Sequence, residues 1–173
     1  MASDIMNQHG HRTCENGREH LWVHGKIGNV LTAVCILHLS VGNNRQEENN
    51  NILECVRRDM HNLHTGLSVL IMEDLNGHLV ELDGREDNNG RMMRRLAEDL
   101  ELEILNLRED CEGQHTWIVR DRRTCIDYEL ASKRLGTNRQ TVVVDEEGEW
   151  SVNSDHKIIF LHFDTVRGTP SRS

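Results

Sequence analysis

The stretch SVLIMEDLNGH, Ser68 to His78, sets the strongest limits on how this chain folds. With Leu67 before it, Val69 to Met72 form a short, nearly continuous apolar run bounded by Gly66 and Gly77. Such a run reads as a strand buried on both faces, as in a helix-covered α/β sheet. Sheets of that kind place their chemistry at strand ends. This strand ends in Glu73, Asp74 and, two residues on, Asn76. Asp74 and Asn76 share a face for as long as strand geometry persists.

The neighbouring segments agree with an α/β or α+β sheet sandwich. HLWVHGKI and VLTAVCILHLS read as two strands joined at Gly28-Asn29, the second nearly all apolar and therefore central. Residues 41–50 are polar and read as a loop. Ile52, Leu53, Val56, Met60 and Leu63 recur at helical spacing, and so do Met92, Met93, Leu96 and Leu100, which predicts two amphipathic helices. Residues 76–90 carry three glycines and almost no periodicity, the pattern of a long loop. EILNL, HTWIV, TCIDYELA, QTVVVD and KIIFLHF are short strand candidates. The chain divides into an irregular segment over 1–20, a folded domain over 21–164 and a loose tail over 165–173.

Composition narrows the function. A net charge of −9 opposes general affinity for nucleic acid, so any such contact must come from local arginine clusters. Arg91, Arg94 and Arg95 form one cluster and read as a solvated helix face. Arg120, Arg122 and Arg123 form another, at a predicted hairpin tip before the I-D-Y triplet, which offers Arg122 and Arg123 as substrate-binding candidates. Five scattered cysteines without a C-x-x-C pair argue against a disulfide framework or zinc ribbon. No apolar stretch approaches membrane-spanning length and no signal core precedes the domain. A nuclear or cytoplasmic location without membrane contact is expected.

Three segments put carboxylates at strand ends: E-D-L-N with Asp74 and Asn76, I-D-Y with Asp127, and S-D-H with Asp155 and His156. Alone, each is weak, since D-x-N after a strand is commonly an Asx turn. As an ordered set they suit metal-assisted hydrolysis. Hard carboxylate oxygens suit Mg²⁺ or Mn²⁺, and a His beside an Asp stabilises a developing oxyanion.

The stretches LIMEDLNGH, GRMMRRLAEDLELEILN, TWIVRDRRTCIDYELAS and SVNSDHKIIFLHF resemble the C-terminal half of the endonuclease/exonuclease/phosphatase superfamily, which has the DNase-I-like fold. Within it they are most similar to the endonuclease domain of LINE-type, non-LTR retrotransposons. The resemblance runs from about Leu21 to Phe163. It implies a four-layer α/β sandwich of which this sequence covers the C-terminal two-thirds, and a DNA endonuclease dependent on Mg²⁺ or Mn²⁺. Position by position it implies that Asp74 holds or activates the attacking water and that Asn76 orients the water or the phosphate. Asp155 helps hold the metal, His156 binds the phosphoryl oxygen that gains charge, and Asp127 orients His156. Trp117 packs beneath the site, and His78 belongs to loop structure.

The sequence departs from that pattern in three ways. The strands carrying the superfamily's metal-binding Glu have no counterpart before Leu21, which reads as an N-terminal truncation. A longer parent supplying those strands, and a reverse transcriptase, is left open. A phosphate-contacting Tyr position falls on Leu37 and an Asn position on Ser40. The Gly before Asp74 is Glu73, which adds a Cβ and a charge where backbone normally lies open to phosphate. The alternative to an endonuclease is therefore an inactive fragment of the same fold that acts, if at all, as a binding module. A small-molecule phosphoesterase is a third reading.

Overall fold

The computed structural model describes residues 8–13, 19–63, 66–136, 140–150 and 153–163. Ten strands and four helices follow in chain order: β1 (Gln8–Thr13), β2 (Glu19–Ile27), β3 (Val30–Leu37), α1 (Gln46–Asn62), β4 (Ser68–Asp74), α2 (Val80–Asp83), α3 (Asn88–Asp99), β5 (Leu102–Ile104), β6 (Trp117–Val119), β7 (Arg122–Thr124), β8 (Asp127–Ser132), α4 (Lys133–Gly136), β9 (Gln140–Val144) and β10 (Ile159–Phe163). Strands β1-β2-β3-β4-β8-β5 make one six-stranded sheet. Within this sheet, among the described residues, only β3 and β4 pair in parallel, with α1 as the crossover that parallel neighbours require.

One face of this sheet, carrying Trp22, Ala33, Cys35, Leu37, Val69, Ile71, Tyr128 and Leu130, packs under the helices. The α1 residues Ile52, Leu53 and Val56 and the α3 residues Met93 and Leu96 close that core. Their three-and-four spacing is what the sequence showed. Fully burying each aliphatic side chain contributes roughly 1.5–3 kcal/mol. The other face, with Val34, Leu70 and Ala131, meets Val142 of β9 and Ile159, Leu161 and Phe163 of β10. The β9–β10 hairpin gains a further edge at Glu112, which bridges Val143 in parallel. This is the DNase-I-like α/β sandwich expected from the sequence. Among the described residues its second sheet is small.

Three local expectations need correction. The segment expected to be irregular over 1–20 contains β1, which pairs with β2 from Gln8↔His24 to Thr13↔Glu19. QHGHRT has no apolar alternation to mark it as a strand. Helix α1 begins at Gln46, inside the polar stretch read as a loop, with Glu47 and Glu48 in its first turn, where the helix dipole favours acids. The stretch 76–90 is not all loop: α2 forms at Val80, and α3 starts at Asn88 behind Asp87, whose side chain accepts from the Gly90 amide. The loose tail over 165–173 lies outside the described residues. No helix among the described residues is long and apolar enough to cross a membrane.

Candidate active site

Strands β4 and β8 run antiparallel with Asp74 directly opposite Asp127. At the end of β4 the chain turns sharply. Glu73 adopts φ 120° and Asn76 φ 45°. The Leu75 and Asn76 amides both donate to the Ile126 carbonyl at 3.0 and 3.2 Å, and the Leu39 amide donates to the Asp74 carbonyl. Asp74 Oδ1 accepts from the Asn76 amide at 3.0 Å, so the D-x-N motif is an Asx turn as well as a site element. The Asn76 carboxamide donates to the Leu39 carbonyl at 2.8 Å, which leaves its Oδ1 as an acceptor.

The T-W, I-D-Y and S-D-H segments are tied into one unit. The fully buried Thr116 hydroxyl accepts from the Ile126 and Asp127 amides, each at 3.0 Å. The Thr116 carbonyl accepts from the Lys157 amide, and the Ile118 amide donates to Asp155. Trp117 thereby pairs with His156 in an isolated antiparallel bridge. His156 Nδ1 lies 3.0 and 3.1 Å from the two Asp127 oxygens. The Trp117 indole donates to Asp155 Oδ2 at 2.9 Å.

Asp74, Asp127 and His156 each offer one ligand atom within 4.8 Å of the others. Asp155 lies outside that group, with one of its oxygens committed to Trp117. Burial pushes the Asp74 carboxyl above the usual aspartate range. The Asp127 charge adds to the shift, while the Asn76 amide, His38 and His156 oppose it. The indole hydrogen bond holds the exposed Asp155 carboxyl below its ordinary value. His38 Nδ1, absent from the sequence expectations, stands 3.7 Å from Asp74 Oδ2.

Asp74, Asn76 and His156 line a cavity of about 700 Å³, together with His78, Asp83, Arg85, His115, Trp117, Arg122 and Arg123. Arg122 and Arg123 belong to β7, facing Val119 and Ile118 across the ladder; the hairpin tip is Arg120-Asp121. Trp117 therefore forms cavity wall. His78, expected to be only loop structure, also faces the cavity, with Nδ1 2.8 Å from Asp83 Oδ2. Leu37, at the position of the expected Tyr, is buried in the core.

Supports of the site that sequence reading missed are two asparagines and two glycines. The fully buried Asn49 brackets Ser40, accepting from its amide and donating to its carbonyl at 2.9 and 2.8 Å. Asn49 also donates to Asn89 Oδ1 at 3.0 Å, and Asn89 Nδ2 lies 3.0–3.3 Å from the carbonyls of Ser40, Leu75 and Asn76. The ends of β3 and β4 are thus pinned to α1 and α3. A Cβ on Gly77 would come within 2.8 Å of the Gly90 amide nitrogen, and one on Gly90 within 2.1 Å of the His78 carbonyl oxygen. The loop behind Asn76 therefore rests on the first turn of α3 backbone to backbone. Gly90, in the first turn of that helix, is a packing requirement.

Comparison with known proteins adds the family. The chain resembles the endonuclease domain of TRAS1, a telomere-specific non-LTR retrotransposon, with TM-score 0.64 and 16% identity, over 83% of this chain and 63% of that one. A 3′-5′ exonuclease from Neisseria meningitidis matches with TM-score 0.68 and 18% identity, over 93% and 72%. An endonuclease/exonuclease/phosphatase family protein from Leptotrichia buccalis matches with TM-score 0.63 and 12% identity, over 91% and 60%. At these identities the likeness speaks for the fold. The chain spans less than two thirds of the length of the first and third of these structures. A comparison with curated protein sequences finds no match. Residues 36–160, well over half the chain and the span holding every member of the Asp74–Asp127–His156 group, match the family described as Endonuclease-reverse transcriptase, and the chain belongs to that family.

Proposed function

We propose that this protein is a DNA endonuclease that hydrolyses phosphodiester bonds with a divalent ion, Mg²⁺ or Mn²⁺. The observation that carries this reading is the convergence of Asp74, Asp127 and His156 within 4.8 Å, with Asp74 and His156 lining a cavity that Arg85, Arg122 and Arg123 also line. Likeness to a retrotransposon endonuclease domain and to a 3′-5′ exonuclease supports a nucleic-acid substrate.

The donors present fit such an ion. Two facing carboxylates, one with its proton affinity raised by burial and further by the other's charge, are a pair that a hard cation relieves. Asp74 and Asp127 would hold it, and Asp155 retains Oδ1 for it. Once bound, the ion supplies positive charge to the phosphate oxygens as the new bond forms. The protein's own groups do the rest. Asp74 takes a proton from the attacking water through the carboxylate oxygen that the ion does not hold. Asn76 Oδ1 accepts the water's other hydrogen and aims it. The bond from water to phosphorus forms as the bond to the leaving strand oxygen breaks. Asp127 orients His156 through Nδ1. Nε2–H then donates to the phosphoryl oxygen that gains charge. Arg122 and Arg123 engage the DNA backbone on either side.

A catalytically inactive module of the same fold is the second reading, favoured by Glu73 and by the buried Leu37 at the hydroxyl position. Nicking of supercoiled plasmid with and without Mg²⁺ separates the two. The endonuclease reading expects metal-dependent nicking that falls about 10²–10³-fold in His156→Ala, the usual loss for one oxyanion donor, and that also falls in Asp155→Ala. Absence of nicking, or nicking indifferent to both substitutions, favours the module.

A further inference from the structure

The cavity that Asp74 and His156 line holds a second Asp–His pair that the proposed chemistry does not use. Asp83 sits at the end of α2 with its side chain 5% exposed, and His78 is 16% exposed. Asp83 Oδ1 accepts from the Cys125 amide at 3.1 Å, and Oδ2 meets His78 Nδ1 at 2.8 Å. The Thr124 hydroxyl is also 3.0 Å from that nitrogen. On the other side of the ring, Arg85 lies 2.8 Å from Nε2. A guanidinium only donates, so Nε2 must accept and the ring proton must sit on Nδ1, donating to Asp83. Every member is thus fixed by the next: buried carboxylate, neutral imidazole, guanidinium.

The end of this chain is a cation that has no carboxylate partner among the described residues. Arg45, Arg57, Arg94 and Arg108 each pair with a carboxylate. Among the described residues no carboxylate lies within ion-pairing distance of Arg85, Arg122 or Arg123, and all three line the cavity. One bond to a neutral ring leaves Arg85 most of its five N–H donors and all of its charge. In a chain of net charge −9, an ordered and unneutralised guanidinium beside a phosphodiesterase site has a clear chemical counterpart.

We infer that Arg85, aimed by His78 and Asp83, forms a second phosphate subsite in the cavity, which takes a backbone phosphate of the DNA strand next to the one being cut. The inference rests on the nuclease reading of the cavity and assigns Arg85 as a contact residue, with His78 and Asp83 as its positioning residues. Arg122 and Arg123 lie on β7, so the strand is gripped from β7 and from the segment after α2.

The test is equilibrium binding of a short DNA duplex in EDTA, where no cutting occurs, over a series of salt concentrations. Arg85→Ala, at an exposed position, is expected to weaken binding about tenfold, the loss typical of one charge-assisted hydrogen bond. The slope of log affinity against log salt should fall by about 0.9 in magnitude, the change expected when one fewer phosphate is neutralised. Arg85→Lys should restore the slope with only part of the affinity, because the charge returns without the fork. His78→Ala should weaken binding in the wild-type background and not further in Arg85→Ala, the non-additivity expected of residues acting in one chain. An Arg85→Ala protein with the wild-type slope, while Arg122→Glu with Arg123→Glu weakens binding, overturns this inference and leaves the nuclease reading standing. A wild-type protein without salt-dependent duplex binding overturns both.

Discussion

At φ 120° Glu73 holds a backbone conformation that glycine adopts freely and that a Cβ opposes. The sequence showed an acid where related motifs place glycine; the structure shows that the glycine-like conformation is kept nonetheless. Glu73→Gly is therefore expected to stabilise the fold by about 1 kcal/mol in denaturant melts, within the usual range for relief of such strain. Two strand positions away from Asp127, Glu129 poses a different problem. It is 2% exposed, and among the described residues nothing hydrogen-bonds its Oε2. Burial, with a smaller push from Asp127, raises its carboxyl from 4.5 to about 8. The folded state thus keeps Glu129 neutral where the unfolded chain ionises. The stability this supports is complete below about 4.5 and is lost as pH rises through about 8. Unfolding measured at pH 5 and pH 8 should show wild-type stability falling by a few kcal/mol, and Glu129→Gln should flatten that fall.

At the scale of elements, the site is held by contacts between segments far apart in sequence. Asn89→Ala removes the donors that tie α3 to the ends of β3 and β4 and leaves Asn49 half satisfied. It is expected to cost about 2 kcal/mol in chemical denaturation and to lower nicking beyond what the stability loss explains, because Asn76 loses its support. The buried His20 and Trp22 of β2 both meet Asp59 Oδ2 of α1, at 2.8 and 3.2 Å, and tie helix to sheet in the same manner. These links explain what was legible beforehand. β4, α1 and α3 could be read because apolar spacing encodes local geometry. Asp74, Asn76, Asp127, Asp155 and His156 stood out as an ordered set resembling a known family, and the structure brings Asp74, Asp127 and His156 together. Asn49 and Asn89 are 40 residues apart and each looks like an ordinary polar helix residue. His78 and Asp83 lie in a stretch without period, so their partnership had no sequence signal. β1 was missed because polar strands carry no hydrophobic alternation.

At the scale of the whole molecule, the sheet is covered unevenly. The helices seal one face, while on the other β9 and β10 cover Leu70 and Ala131 and leave Leu21, Val23, Ile36 and Met72 only partly buried. The chain also spans 60–72% of the three solved structures it resembles. Charge is distributed as unevenly as coverage. A net −9 keeps the bulk surface unattractive to DNA, while Arg85, Arg122 and Arg123 gather at one opening. Binding should therefore be confined to that opening and be strongly weakened by salt.

The face-to-face placement of Asp74 and Asp127 has a mechanical consequence. Two like charges at the last rung of an antiparallel ladder pry the rung apart. A bound dication would offset that repulsion and so act as a clasp on the two strand ends. Deuterium uptake at the Leu75 and Asn76 amides, which close the rung on Ile126, should slow when Mg²⁺ is added and stay unchanged in Asp74→Asn. Uptake that ignores the ion would mean the rung stays shut without it.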